Sequence, residues 1–220
     1  MAPALIVFDL DGTLIDSRRD LADSANELIV RYGGRPLPED EVTGMVGEGA
    51  RTLIARAFGA AGLDASPDEA LPGFLEIYGR RLFDHTRPYD GVPDMLRGAA
   101  ARAPVAVLTN KPQHPADRLV AHFGFDRFVQ RVVGGDAGFP RKPSPDSLLA
   151  LAREAGVPPA RTLLVGDSWI DHETAAAAGT RVCLARYGFG WERFDRARLR
   201  GDEWTIDAPR ELAALIGTGP

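Results

Sequence analysis

The chain has 220 residues, of which 45% are hydrophobic and 26% charged, and its formal net charge is −5 at pH 7. No apolar stretch approaches the ~20 residues that a membrane-spanning helix needs, and the net negative charge argues against a nucleic-acid partner, which would need clustered cations. The single cysteine, Cys183, excludes an internal disulfide, and no basic and apolar leader is found, so we expect a cytoplasmic protein.

An apolar run near the start of the chain, Ala4–Phe8, predicts a buried β-strand. Asp9 and Asp11 follow it directly, with Gly12 and Thr13 completing the motif. In open α/β sheets, chemistry takes place at the carboxyl ends of the strands. Two carboxylates placed there repel each other unless a cation or a shared proton relieves them. The motif therefore predicts a site for a hard, oxygen-binding cation such as Mg²⁺.

The segment that follows has helical periodicity and no convincing strand. We interpret residues 16–88 as an inserted, all-helical cap domain, and residues 1–15 with 89–220 as one α/β core domain. Three apolar helix faces are predicted within the insert. They carry Leu21, Ala25, Leu28 and Ile29, then Leu53, Ile54, Ala57 and Phe58, and then Phe74, Ile77, Tyr78 and Leu82.

In the core domain, strand-like apolar runs alternate with amphipathic segments, which predicts a parallel sheet covered by helices. Strands are expected at Leu5–Phe8, Val105–Leu108, Val132–Val133, Thr162–Val165 and Val182–Ala185, with a possible late edge strand at Trp204–Ile206. Helices are expected at Pro115–Phe123 and Ser144–Ala155.

Two further motifs in the core suit an anionic ligand. Thr109 and Asn110 follow a strand, where a hydroxyl and exposed backbone N–H groups can bind phosphate oxygens, although either residue could instead cap the next helix. Lys142 lies between two prolines in a rigid loop, as suits a fixed positive charge beside phosphate. The chain has only two lysines, Lys111 and Lys142, and both fall inside candidate motifs.

The last motif places Asp167 at the end of an apolar strand and Asp171 four residues later. If a helix begins near Ser168, both carboxylates can face the same cleft as Asp9 and Asp11. Asp171 could also simply complement the dipole of that helix. Together the four acids predict a concentrated acidic pocket that a divalent cation would stabilise.

The four motifs, taken in order, resemble those of the haloacid dehalogenase superfamily, which consists mostly of Mg²⁺-dependent phosphohydrolases. The resemblance implies a three-layer αβα, Rossmann-like core with a parallel sheet, and the helical insert resembles one of the cap types of this superfamily. It also implies that Asp9 is a nucleophile that forms an aspartyl-phosphate, and that Asp11 acts as the acid and base. Mg²⁺ would be held by Asp9, the Asp11 carbonyl and Asp167, with Asp171 orienting waters.

For the phosphoryl group, the resemblance implies binding by Thr109, the backbone N–H of Asn110 and Lys142. Dehalogenases lack the second acid of the first motif, so Asp11 favours phosphate chemistry. Phosphonatases use a cap lysine, and residues 16–88 contain none. Several softer stretches resemble the phosphoglycolate phosphatases, which makes 2-phosphoglycolate the leading substrate. They are Asp16–Ser17, Asp20–Leu21, Asn26, Val46–Gly49, Leu53, Arg56–Ala57, Thr109–Pro112, Gly134–Asp136 and Tyr187–Gly190.

The cap loop at Val46–Gly49 is a candidate for substrate contact. Gly47 and Gly49 would expose backbone amides to a small carboxylate or hydroxyl group, and Arg51 could pair with a substrate anion. An ordinary helix–helix turn and an exposed helix arginine are the alternatives. The four histidines show no metal-ligand spacing, and we expect them at the surface or at helix caps. They are His85, His114, His122 and His172.

Other functions stay open at this stage. The chain could hydrolyse another sugar phosphate or small-metabolite phosphate, or it could be a phosphomutase similar to β-phosphoglucomutase. A regulator that is phosphorylated on Asp9 without turnover is a more remote alternative. In each enzymatic case the partner is a small phosphorylated metabolite, and we expect a monomer or a homodimer.

Overall fold

The structure is a computed structural model that describes residues 2–217. These residues form two compact units. One is a helical unit, Ser17–Arg87, and the other is an α/β unit made of the described residues on either side of it. No helix in the described part of the chain is long and apolar enough to cross a membrane.

The strands are short, and most belong to one sheet. They are β1 (Leu5–Phe8), β2 (Ile15–Asp16), β3 (Arg87–Pro88), β4 (Val105–Leu108), β5 (Arg131–Val133), β6 (Thr162–Gly166), β7 (Arg181–Ala185) and β8 (Trp204–Ile206). The helices are α1 (Arg18–Arg31), α2 (Glu39–Thr43), α3 (Ala50–Ala60), α4 (Pro67–Arg81), α5 (Val92–Ala100), α6 (Gln113–His122), α7 (Asp146–Glu154), α8 (Trp169–Ala178) and α9 (Leu212–Gly217).

The main sheet has six strands in the order β5-β4-β1-β6-β7-β8, and every neighbouring pair runs parallel. β1 lies at the centre, where Val7 pairs with Ala106 of β4 on one side and Leu164 of β6 on the other. The chain first builds the sheet outward through β4 and β5, then returns to the other side of β1. Ligands of open α/β sheets bind at such a reversal of strand order, beside the carboxyl ends of the strands.

One face of the sheet is covered by α7 and α8. Leu5 and Val7 of β1 contribute to a buried cluster that also contains Leu148 and Leu151 of α7 and Ala175 of α8. The intervening residues of β1 are equally inaccessible to solvent, so the strand is buried on both faces. This burial explains why β1 is a continuous apolar run rather than an alternating one.

The helical unit comprises α1 to α4, and helix α1 contacts each of the other three. The residues predicted to form apolar helix faces are buried in it: Leu21, Ala25, Leu28, Ile29, Leu53, Ile54, Ala57, Phe58, Phe74, Ile77, Tyr78 and Leu82. The periodicity of the sequence therefore identified the core of this unit.

The predicted fold class is confirmed: a parallel α/β core with flanking helices carries an inserted helical segment. The five predicted core strands and the edge strand at Trp204–Ile206 are present, with bounds that differ by at most one residue. The strands β2 and β3 were not predicted, because two residues are too few to show a strand pattern in the sequence.

Candidate active site

Three carboxylates meet beside the carboxyl ends of β1 and β6. Asp9, Asp167 and Asp171 each place an oxygen within 4.8 Å of the others, and all three side chains are buried. The backbone N–H of Asp9 donates a 2.8 Å hydrogen bond to the Val165 carbonyl, which extends the hydrogen-bond ladder between β1 and β6 by one residue. The sheet therefore fixes the position of the Asp9 backbone, from which the carboxylate side chain extends.

Lys142 places its ammonium group among these acids. Its Nζ lies 2.9 Å from Oδ1 of Asp9 and 2.6 Å from Oδ1 of Asp171, and its side chain is only 3% exposed. Burial alone would lower the pKa of Lys142, but the carboxylates of Asp171 and Asp9 raise it above its ordinary value. The lysine is therefore held in its charged form and cancels one of the three negative charges.

Two of these acids have raised pKa values. Burial raises the pKa of Asp9 to about 7, and Asp171 and Asp11 add to the rise while Lys142 opposes it. Burial also raises the pKa of Asp167 well above its ordinary value, with repulsion from Asp171 and Asp9 as the next causes. A cluster of this kind is stabilised by protons or by an added cation.

Asp171 has a structural task besides its contact with Lys142. It lies in the first turn of α8, where its Oδ2 accepts hydrogen bonds from the Ser168 N–H at 3.2 Å and the Ser168 hydroxyl at 2.6 Å. Its two oxygens therefore divide between the helix terminus and the lysine. Gly166 makes this possible, because a Cβ there would lie 2.2 Å from the Asp171 carboxyl carbon.

Asp167 is also in close contact with glycines. A Cβ on Gly12 would lie 2.0 Å from Oδ2 of Asp167, and a Cβ on Gly188 would lie 2.3 Å from its Cβ. Gly12 also has φ +86°, a region that favours glycine. The backbone N–H of Gly190 donates a 2.7 Å hydrogen bond to the same Oδ2. These close contacts with the backbone orient Asp167. The sequence did not predict such a role for the glycines of Tyr187–Gly190.

Thr109 and Asn110 lie one strand away, directly after β4. The Thr109 N–H donates to the Val133 carbonyl at 3.0 Å, and its hydroxyl accepts a hydrogen bond from the Lys111 N–H at 3.1 Å. The side-chain amide of Asn110 donates to the Lys142 carbonyl at 2.9 Å. The two loops that were predicted to bind phosphate are therefore joined by a direct hydrogen bond.

Lys111 falls inside a candidate motif but had no predicted role. In the structure it contacts Asp11. Its Nζ donates to both carboxylate oxygens of Asp11, at 2.8 and 2.9 Å, and its side chain is 3% exposed. Both lysines of the chain therefore lie in the same acidic site. Their scarcity in a chain with 24 arginines was the signal that pointed to Lys111.

The predicted substrate residues of the insert, Gly47, Gly49 and Arg51, lie in the helical unit. Gly47 has φ +125° and Gly49 has φ +90°, just before α3 begins. Arg51 makes an ion pair with Asp68, with Nε 2.6 Å from Oδ1, and both side chains are at least half exposed. Substrate contact by these residues stays a prediction.

His172 differs from the prediction that the histidines lie at the surface or at helix caps. It is 2% exposed, inside α8, and its Nε2 is 2.7 Å from Oε1 of Glu203. Glu203 also accepts hydrogen bonds from the Arg200 and Gly201 N–H groups. The prediction was wrong for His172 because its hydrogen-bond partner, Glu203, is 31 residues away in the sequence.

The donor set of the acidic cluster fits a divalent cation. Its ligands would be carboxylate oxygens, which hard cations such as Mg²⁺ prefer. One lysine balances only part of the charge of Asp9, Asp167 and Asp171, and Asp9 and Asp167 have raised pKa values, as expected for acids short of positive charge.

Comparison with known sequences agrees with this geometry. The profile of the haloacid dehalogenase-like hydrolases matches residues 6–185. The chain belongs to this family. As a haloacid dehalogenase-like hydrolase it is an enzyme, as the sequence predicted.

Relatives within the family act on phosphate esters. The phosphoglycolate phosphatase of Rhodospirillum rubrum is 40% identical over 198 residues, covering 86% of this chain and 82% of the relative. The N-acetylmuramic acid 6-phosphate phosphatase of Pseudomonas aeruginosa is 33% identical over 213 residues, covering 96% of this chain and 93% of the relative. Among solved structures, a predicted phosphoglycolate phosphatase from Haemophilus somnus has a TM-score of 0.90 at 31% identity, covering 96% of this chain and 97% of that one.

Proposed function

We propose that the chain is a Mg²⁺-dependent phosphomonoesterase that acts through an aspartyl-phosphate on a small phosphate ester, with 2-phosphoglycolate as its substrate. The observation that carries the proposal is the contact between the Asp9 carboxylate and Lys142 inside a buried acidic cluster. An anionic nucleophile can approach an anionic ester only where positive charge is supplied. The family membership and the named relatives support the phosphate ester as substrate.

In the first step, an Asp9 oxygen attacks phosphorus while the bond to the ester oxygen breaks. Asp11 gives a proton to that oxygen, so the product leaves with a neutral hydroxyl group instead of an alkoxide. Asp11 then takes a proton from water, which attacks phosphorus and restores the Asp9 carboxylate. Splitting the reaction through a covalent carboxyl phosphate replaces one difficult displacement by two easier ones.

The other residues position and neutralise the phosphoryl group. Thr109, the Asn110 backbone N–H and Lys142 would bind its oxygens, and the hydrogen bond from Asn110 to the Lys142 carbonyl ties these groups together. Asp9, the Asp11 carbonyl and Asp167 would hold Mg²⁺, with Asp171 orienting its waters. When bound, Mg²⁺ neutralises charge on the phosphoryl group.

We further propose that residues 16–88 act as a cap that limits access to small substrates and excludes bulk water during hydrolysis of the aspartyl-phosphate. Gly47, Gly49 and Arg51 are its candidate substrate residues. The insert holds no lysine, so the backbone amides of the two glycines and the Arg51 guanidinium are the groups that we assign to a substrate anion.

The relative that acts on N-acetylmuramic acid 6-phosphate favours a second candidate, a phosphatase for a sugar phosphate. Both candidates use the same cluster and the same chemistry. They differ only in the group that leaves with the ester oxygen.

The test is release of phosphate from a panel of esters in the presence of Mg²⁺. The panel contains 2-phosphoglycolate, N-acetylmuramic acid 6-phosphate and a hexose phosphate, and the variants are Asp9→Asn and, as a matched surface control, Asp94→Asn on α5. We expect the wild type and Asp94→Asn to prefer 2-phosphoglycolate and Asp9→Asn to be inactive.

Three results would count against this function. A preference for the sugar phosphate favours the second candidate, and conversion of one hexose phosphate into another without net phosphate release favours a mutase. A phosphorylated Asp9 that persists for hours without turnover favours a regulator.

A further inference from the structure

The second lysine of the site, Lys111, occupies a different part of it from Lys142. Lys142 contacts Asp9 and Asp171, whereas the Lys111 ammonium donates to both oxygens of Asp11, at 2.8 and 2.9 Å. Both ammonium groups are withdrawn from solvent, with side chains 3% exposed. The positive charge of the site is therefore divided between the nucleophile and the residue that faces the leaving group.

The backbone of Lys111 is held on both sides. Its N–H donates to the Thr109 hydroxyl at 3.1 Å, and its carbonyl accepts a hydrogen bond from the Gly135 N–H at 2.8 Å. A Cβ on Gly134 would approach the same carbonyl to 3.0 Å, and one on Gly135 would lie 2.4 Å from the Asn110 carbonyl. The other end of the side chain is held by the two hydrogen bonds from its ammonium group to Asp11, so little entropy is lost when the ammonium group binds a ligand.

The chemistry of the leaving group explains why a cation is needed there. In the proposed function, Asp11 donates a hydrogen bond to the ester oxygen of the substrate and then transfers its proton to that oxygen. In 2-phosphoglycolate that oxygen is joined through a single CH₂ group to a carboxylate. Once Asp11 has given its proton to the ester oxygen, its carboxylate lies close to the carboxylate of the substrate, and two buried carboxylates repel each other unless a cation lies between them.

We propose that Lys111 binds the carboxylate of the leaving group and selects phosphate esters that carry a carboxylate one carbon away from the ester oxygen. An ammonium group donates up to three hydrogen bonds, so Lys111 can bind a substrate carboxylate while it keeps a bond to Asp11. The proposal rests on the proposed phosphatase function and goes beyond it, because it assigns the choice of substrate to a residue of the α/β unit.

The test compares 2-phosphoglycolate with its neutral analogue, 2-phosphoglycolamide, in the wild type and in Lys111→Met. The measured quantity is the ratio of kcat/KM for the two esters, because a general effect of the variant on Asp11 cancels in that ratio. We expect Lys111→Met to lower the ratio by roughly tenfold to a hundredfold, which is the usual effect of losing a hydrogen bond to a charged group. Arg97→Met, which removes an exposed cation from α5, should leave the ratio unchanged.

Binding provides a second readout that does not need turnover. In an Asp9→Asn background, calorimetry with Mg²⁺ should show that Lys111→Met weakens binding of 2-phosphoglycolate much more than binding of the amide. Lys111→Gln serves the same purpose if Lys111→Met does not fold, because the glutamine can still donate a hydrogen bond to Asp11.

The outcomes separate the two proposals. If Lys111→Met or Lys111→Gln lowers kcat/KM equally for both esters, Lys111 only positions Asp11 and the inference is overturned. If the wild type itself does not hydrolyse 2-phosphoglycolate, the proposed function fails, whatever the variants do, and the inference fails with it. Preference of the wild type for the acid over the amide, lost in the variant, supports both.

Discussion

The backbone N–H of Gly190 and the carboxylate of Asp167 are joined by a 2.7 Å hydrogen bond that orients one of the three clustered acids. Gly188, two residues earlier, reaches the same acid from the side: a Cβ there would lie 2.3 Å from the Asp167 Cβ and 2.1 Å from the Gly12 carbonyl. The segment after β7 thus supports Asp167, the proposed metal ligand, and there is no room for a side chain at Gly188.

Gly188→Ala should therefore impair the site. The new methyl group meets backbone and a buried carboxylate, so Asp167 has to move. Displacing a group that orients a metal ligand typically lowers metal affinity by roughly tenfold to a hundredfold, and we expect a loss of this size in the Mg²⁺ dependence of phosphatase activity.

Gly98→Ala is the matched control for this change. It lies in α5, where a Cβ meets nothing within 4 Å, so we expect no loss of activity and a slight gain in stability from the better helix former. Unchanged Mg²⁺ dependence in Gly188→Ala would show that Asp167 is not held in the way described.

Mg²⁺ itself should stabilise the fold through the carboxylate cluster. A ligand that binds only the folded state at 100 times its Kd adds about 2.7 kcal/mol to the free energy of unfolding. We expect the melting temperature of the wild type and of Asp94→Asn to rise as Mg²⁺ is added, and that of Asp167→Asn to respond much less. An equal rise in all three proteins would place the ion elsewhere.

The strands were predictable because the sheet is buried on both faces. Each core strand therefore appears in the sequence as an apolar run, such as Leu5–Phe8 or Val105–Leu108, and each bound agrees to within a residue. The helical insert was predictable for the complementary reason, since α1, α3 and α4 each bury one face and show a clear helical period.

The contacts within the site were harder to predict, because they join residues far apart in the chain. Lys111 and Asp11 are 100 residues apart, and no local pattern reports that their side chains meet. The four motifs indicated which acids collect beside the sheet, but they do not contain the glycines that orient Asp167. His172 and Glu203 are a further pair of this kind, since neither has a local signal for burial.

Asp20 should be a stability determinant of the helical unit. It is buried in the first turn of α1, where its carboxylate accepts hydrogen bonds from the His85 N–H at 3.0 Å, the Thr86 N–H at 2.7 Å and the Thr86 hydroxyl at 2.7 Å. These bonds tie the end of the unit to its first helix. Asp20→Ala leaves buried donors without an acceptor, and we expect it to lower the free energy of unfolding by about 2–3 kcal/mol.

The matched control is Asp23→Ala on the same helix. The side chain of Asp23 is 43% exposed and makes a long ion pair with Arg19, at 3.8 Å, so we expect a change within about 0.5 kcal/mol. Both variants are measured by urea unfolding. Equal effects would mean that the bonds to His85 and Thr86 add little to stability.

Asp9 should make stability depend on pH when no divalent cation is present. Burial raises its pKa in the folded state to about 7, above the ordinary value of 3.8. The stability that this shift contributes is fully present below pH 3.8 and is lost as the pH rises to about 7, because the unfolded chain then releases the proton that the folded chain still holds. Asp9→Asn cannot ionise, so it should gain stability relative to the wild type over the same range.

We therefore expect the difference in unfolding free energy between Asp9→Asn and the wild type to grow by a few kcal/mol between pH 4 and pH 8, at about 1.4 kcal/mol for each unit of pKa shift. The measurement is urea unfolding with a chelator present, across that pH range. Adding Mg²⁺ at pH 8 should then reduce the difference, since the ionised Asp9 becomes a ligand and the asparagine a poorer one. A difference that stays constant with pH would mean that Lys142 alone keeps Asp9 ionised, and that the cluster does not need a second cation to be stable.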